Sequence, residues 1–186
     1  MRGPDRTPAA ALGVFGAACA VVGGGLRIVS AFIPWAPASP WLETLYGVID
    51  ICLLFGLIAV YLHAAERIGL VGLVFFIVSL AADASIVGPD AVMFGIDFYQ
   101  VGVAGLLIGL AGLGVQMLRT RVLLVPAGLW LCSVVAGFGS SALGAKLGVT
   151  AAGGVFGLAF LCAGVLLLTR APASIPSSTP APAAAS

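Results

Sequence analysis

Apolar residues in this chain fall into six long runs, over about residues 11–33, 45–63, 68–88, 98–118, 122–139 and 149–169. Each is broken only by small residues and a rare polar one. A hydrocarbon layer about 30 Å thick takes about 20 apolar residues of α-helix to cross, and within it only a helix or a closed barrel satisfies the backbone. The pattern predicts an all-α fold, a six-transmembrane-helix bundle over residues 11–170, after a short N-terminal arm at residues 1–10.

The separators agree. Pro34 to Glu43 form a connection carrying Trp35 and Trp41, rings suited to the headgroup level. Ala64-Ala65-Glu66-Arg67 reads as the turn between the second and third helices, Pro89 and Asp90 close the third, and Ala91 to Asp97 form a loop. From Ala171 the chain is rich in Pro, Ala and Ser and lacks the apolar content to fold, so a disordered tail is expected over 171–186. The first run follows Arg2 and Arg6, as in a signal peptide. It outlasts the usual apolar core of about 7–15 residues, and its small-residue exit at Ala36-Pro37-Ala38 is interrupted by proline. An uncleaved span is the better reading.

Composition removes the soluble alternative. Hydrophobic residues make up 61% of the chain and charged ones 8%, against about 45–50% and 25% in an ordinary globular domain. Charge then sets direction, because Lys and Arg are retained on the cytoplasmic side. With the N-terminus inside, Arg2, Arg6, Arg67, Arg119, Arg121 and Arg170 all lie inside and only Lys146 outside. Both termini are therefore expected in the cytoplasm, and Glu43, Asp90 and Asp97 on the outer face. A net charge of +1 with scattered basic residues offers nothing to nucleic acid. The expected partner is the lipid bilayer of the cell (inner, cytoplasmic) membrane.

Three ionisable groups fall inside the runs: Arg27, Asp50 and Asp83. A charge at bilayer depth costs about 2.5–3.5 kcal/mol even on the lenient insertion scale, which makes such residues candidates for function. At about 1.5 Å per residue, Arg27 lies roughly 9 Å inside the outer end of the first helix. Asp50 and Asp83 each lie about 7.5 Å inside the outer ends of the second and third. One depth on three consecutive helices suggests a buried Arg–Asp cluster. It would serve as a polar binding pocket opening outward, as a structural salt bridge, or, for Arg27, as a side chain snorkelling to the headgroups.

Gly102, Gly105, Gly109 and Gly112 lie along one face of the fourth helix, a seam for close packing within the chain or against a second copy or another membrane protein. Gly23, Gly24 and Gly25 predict either close packing or a loosened turn beside Arg27. A shift of 53 positions lays Tyr46 on Tyr99, Leu53 on Leu106, Leu54 on Leu107 and Gly56 on Gly109, a weak sign of a duplicated hairpin.

Catalytic sets are missing. Gly137-Phe138-Gly139-Ser140-Ser141 superficially suggests a serine hydrolase, but the only histidine, His63, falls at the opposite end of its helix, about 30 Å away. Cys19, Cys52, Cys132 and Cys162 lie singly in apolar runs without metal-ligand spacing and read as packing residues. Neither a metal nor a cofactor is expected.

Two resemblances carry some of this further. The stretches Pro40-Trp41-Leu42-Glu43 through Asp50, Tyr61-Leu62-His63-Ala64-Ala65-Glu66-Arg67, Gly69-Leu70-Val71-Gly72 and Gly95-Ile96-Asp97-Phe98-Tyr99 resemble uncharacterised small bacterial six-helix integral membrane proteins. That resemblance implies the architecture and no activity. Length, helix number and cytoplasmic termini are also similar to the substrate-binding subunits of energy-coupling-factor vitamin transporters. Those dock a partner through an Ala-x-x-x-Ala stripe on the first helix, where this chain has Gly13/Ala17 and Gly16/Ala20. Two expectations result: a non-enzymatic structural or accessory membrane component, or a small-solute binding or transport component using Arg27, Asp50 and Asp83. An enclosed polar cavity in the outer half would separate them.

Overall fold

The computed structural model describes residues 8–33, 36, 39–87, 92–144 and 146–170. The arm with Arg2 and Arg6, Trp35, Asp90 and the tail from Ala171 lie outside the described residues. Five helices follow in order: α1 (Pro8–Ser30), α2 (Pro40–Ile86), α3 (Phe98–Arg119), α4 (Leu124–Ala142) and α5 (Lys146–Arg170). By length and composition α1, α2, α3 and α5 can each cross a membrane, and α4 adds a shorter apolar run, Leu124–Ser140.

The 47 residues of α2 would extend about 70 Å as one rod, more than twice the hydrocarbon thickness. They do not form one rod. Gly69 has φ 60° and ψ −162°, a region that is essentially closed to any residue with a Cβ. Residues 40–68 and 70–86 become two limbs folded back on each other, with the Tyr61 and Phe76 rings stacked at 4.1 Å across the bend. The reversal thus falls later than the turn expected at Ala64–Arg67, which stays helical. Ala, Glu and Arg are good helix formers, and only Gly69 relieves the chain of its helical dihedrals.

A second departure is the stretch expected as a loop before α3. It holds a short antiparallel ribbon, β1 (Val92–Met93) on β2 (Ile96–Asp97). Phe94 and Gly95 turn the corner with φ 57° and 78°, the paired positive values that match the twist of a two-residue hairpin. Asp97 then caps α3 by accepting a hydrogen bond from the Gln100 amide at 3.1 Å. At its far end α3 closes in a Schellman arrangement: the Val122 amide bonds to the Met117 carbonyl at 2.9 Å and the Arg121 amide to that of Leu118 at 3.2 Å. This tight closure delays α4 to Leu124, two residues beyond the expected Val122.

The limbs pack as a ring: the first limb of α2, then α1, α5, α4, α3 and the second limb. Small residues make the close approaches. Gly56 meets Ala20 across the α1–α2 contact, while Gly24 and Gly157 bring the backbones of α1 and α5 together. α1 runs unbroken through Gly23–Gly25 with no loosened turn; Gly23 and Gly24 serve close packing, against Cys52 and α5, while Gly25 stands in looser contact with Leu161. Gly102, Gly105, Gly109 and Gly112 all face the second limb of α2, against Ser85, Ala82, Ser79 and Phe75. Toward the Arg67 end the ring is filled by Leu57, Val60, Ala64, Leu110, Leu113, Met117, Trp130 and Phe160. Around the outside, Phe15, Val22, Val29, Leu70, Val74, Val101, Ile108 and Val135 are exposed, an apolar girdle that a bilayer covers.

Candidate functional site

Toward the Glu43 end the ring does not fill. A cavity of about 1020 Å³ opens there, and every limb contributes to its wall: Arg27 from α1, Glu43 to Leu53 and Asp83 to Ile86 from the two limbs of α2, Tyr99 to Leu107 from α3, Ser133 and Gly137 from α4, and Ala152 to Phe156 from α5. Helical periodicity decides which residues reach it. Glu43, Tyr46, Gly47, Asp50 and Leu53 recur at three- and four-residue steps and form one stripe on the first limb. Tyr99, Val103, Leu106 and Leu107 do the same on α3.

The structure brings Arg27, Asp50 and Asp83 to this one cavity. Arg27 is half-buried, with its guanidinium carbon 5.8 Å from the centre of the Tyr46 ring, within reach of a cation–π attraction. Its space is provided by α5: a Cβ on Gly153 would stand 3.5 Å from an Arg27 terminal nitrogen, and one on Gly157 would stand 3.0 Å from the Arg27 Cβ. Asp50, also half-buried, lies close enough to Arg27 to feel its charge. Asp83 is 3% exposed, and the charged group acting on it is Asp50, of like sign. Among the described residues no ion pair within 4.0 Å joins Arg27 to either acid. The three charges are gathered but not locked together.

Polar residues beyond these three share the wall. Glu43, expected only as an outer-face acid, lines it with Thr44, Tyr99 and Ser133, and the Ser133 hydroxyl donates to the Ala152 carbonyl at 2.9 Å. The stripe from Glu43 through Tyr46 and Gly47 to Asp50 was the available signal, since three- and four-residue spacing already put Glu43 on the face of Asp50. Two pairs aligned by the 53-residue shift, Tyr46 with Tyr99 and Leu53 with Leu106, lie on the same wall. His63 is exposed on the first limb, away from the cavity. Among the described residues no group of three His, Cys, Asp or Glu side chains is placed to hold a metal ion. Three of the four small residues of the α1 stripe are occupied internally, Ala17 against Gly164, Ala20 against Gly56, and Gly16 against Phe55 and Ala59, while Gly13 has nothing within 4 Å of its would-be Cβ.

No family model, curated protein or solved structure matches the chain. Fold and surface define its class by themselves: this is a multi-span helical membrane protein whose apolar exterior contacts lipid.

Proposed function

We propose that this protein is a six-span component of the cell membrane, with both termini in the cytoplasm, that binds a small solute in the cavity opening toward the outer face. The observation that carries the reading is the cavity itself, with Arg27, Asp50 and Asp83 on its wall and a packed core beneath it. A purely structural bundle gains nothing from three ionisable groups around a void, each opposed by a cost of about 2.5–3.5 kcal/mol at depth. The volume suits a small molecule, since ligand pockets span about 300–1,000 Å³ and combine apolar walls with a few polar groups. The reading takes the cavity as a binding site and assigns it no reaction. The partner-docking role implied by the vitamin-transporter resemblance gains little support from α1, where Gly16, Ala17 and Ala20 are engaged within the bundle and Gly13 by itself is open.

A ligand-stabilisation screen of the purified protein tests this against Arg27→Gln, Asp50→Asn and Asp83→Asn. A ligand at a hundred times its Kd should stabilise the wild type by about 2.7 kcal/mol, and at least one of the three variants should lose that effect. A ligand that stabilises wild type and all three variants equally sits elsewhere and removes this site. Gly47→Trp gives an independent check. Gly47 lines the cavity and a Cβ there meets nothing within 4 Å, so the indole should enter the void and block binding while the bundle still folds.

A further inference from the structure

The charges on the wall narrow the ligand. We propose, resting on the solute-binding reading above, that the cavity takes a small organic cation: a protonated amine held by Asp83 and Asp50, with an apolar body against Leu106, Leu107 and Phe156. Asp83 carries the argument. It is 3% exposed, lines the cavity, and has no hydrogen-bond or ion-pair partner among the described residues. A buried carboxylate without donors is costly, and an ammonium group brings up to three.

Charge balance points the same way. Among the described residues the wall bears Glu43, Asp50 and Asp83 against Arg27. Arg27 lies over the Tyr46 ring and within electrostatic reach of Asp50, whereas the charged group that acts on Asp83 among the described residues is Asp50, of like sign. Asp83 therefore stands without a matching cation on a wall it shares with Ile86, Leu106 and Leu107. Those apolar residues, and an arrangement in which no three His, Cys, Asp or Glu side chains among the described residues are placed to hold a metal, favour an amine with a hydrocarbon body over a bare metal ion. Hard cations take several oxygen ligands at short range.

Three probes sharing one phenyl ring separate the charge classes: phenethylamine (cation), phenylalanine (zwitterion) and phenylpropionate (anion). Binding to the full-length protein in phosphatidylcholine nanodiscs is measured by calorimetry. Phenethylamine should bind and phenylpropionate should not. Asp83→Asn should weaken the amine at least tenfold, and Arg27→Gln should tighten it severalfold by removing a like charge. Each variant's melting temperature confirms that it is folded, and Asp50→Asn stands in should Asp83→Asn fail to fold. Amine binding unchanged in Asp83→Asn overturns the proposal. So does binding of phenylpropionate but not the amine with loss in Arg27→Gln, which would leave a solute site of opposite charge preference. Failure of all three probes also overturns the amine assignment, and the broad screen then decides separately whether the cavity binds anything.

Discussion

Arg121 holds φ 57° at the position after the α3 cap where helices commonly place glycine. A side chain in that left-handed region costs about 1–2 kcal/mol, and here the two Schellman hydrogen bonds and the burial of Met117 and Val122 offset it. Arg121→Gly should accordingly raise stability by about 1 kcal/mol, read as a higher melting temperature in detergent; a drop would mean that the side chain itself contributes to the fold. Glycines at close contacts behave oppositely. A Cβ on Gly24 would stand 2.6 Å from the Gly157 carbonyl oxygen, so Gly24→Ala should destabilise by about 1–3 kcal/mol through overpacking. Gly13, on the same helix, has nothing within 4 Å of its would-be Cβ. Gly13→Ala should be neutral or gain up to about 1 kcal/mol, and equal melting of the two variants would contradict the α1–α5 contact.

At the scale of elements, the decisive position is Gly69. Its φ 60° and ψ −162° convert one 47-residue helical stretch into two limbs, and a Cβ there meets no neighbour within 4 Å. Gly69→Ala therefore isolates backbone strain from packing and should cost about 1–3 kcal/mol. A double-electron resonance distance between labels at exposed positions 62 and 77 would show the limbs opening. An unchanged melting temperature and distance would remove the strained reversal. Helix existence here was legible from runs of apolar residues, because length and hydropathy are local properties. Helix ends were less so. Ala64–Arg67 looked like a turn for its charges, yet charge alone does not stop a helix, and the Phe94-Gly95 ribbon rests on a pairing of only two residues on each side.

For the whole molecule, the claim to test is direction. With Arg67, Arg119 and Arg170 at one end and Glu43 at the other, a fluorescent protein fused after residue 186 should fold and fluoresce in the cytoplasm. Alkaline phosphatase inserted in the connection over 34–39 should be active outside. A dark fusion with inactive phosphatase would reverse the orientation and turn the cavity mouth toward the cytoplasm.

The sequence by itself determined the class, the number of apolar runs, the basic asymmetry, and the placing of Arg27, Asp50 and Asp83 inside apolar runs, all of which follow from composition and local pattern. The equal distances from helix ends did not hold, since Arg27 and Asp83 lie three residues from Ser30 and Ile86 whereas Asp50 lies ten from Pro40. It could not decide which faces meet. Ring order depends on glycine contacts between distant segments, such as Gly24 on Gly157, and only that order places Ser133, Gly153 and Phe156 opposite the acids. The same tertiary arrangement left Asp83 buried, with no hydrogen-bond or ion-pair partner among the described residues, beside an open volume, because the ring of limbs packs its Arg67 half with large side chains and has too few of them to fill the other.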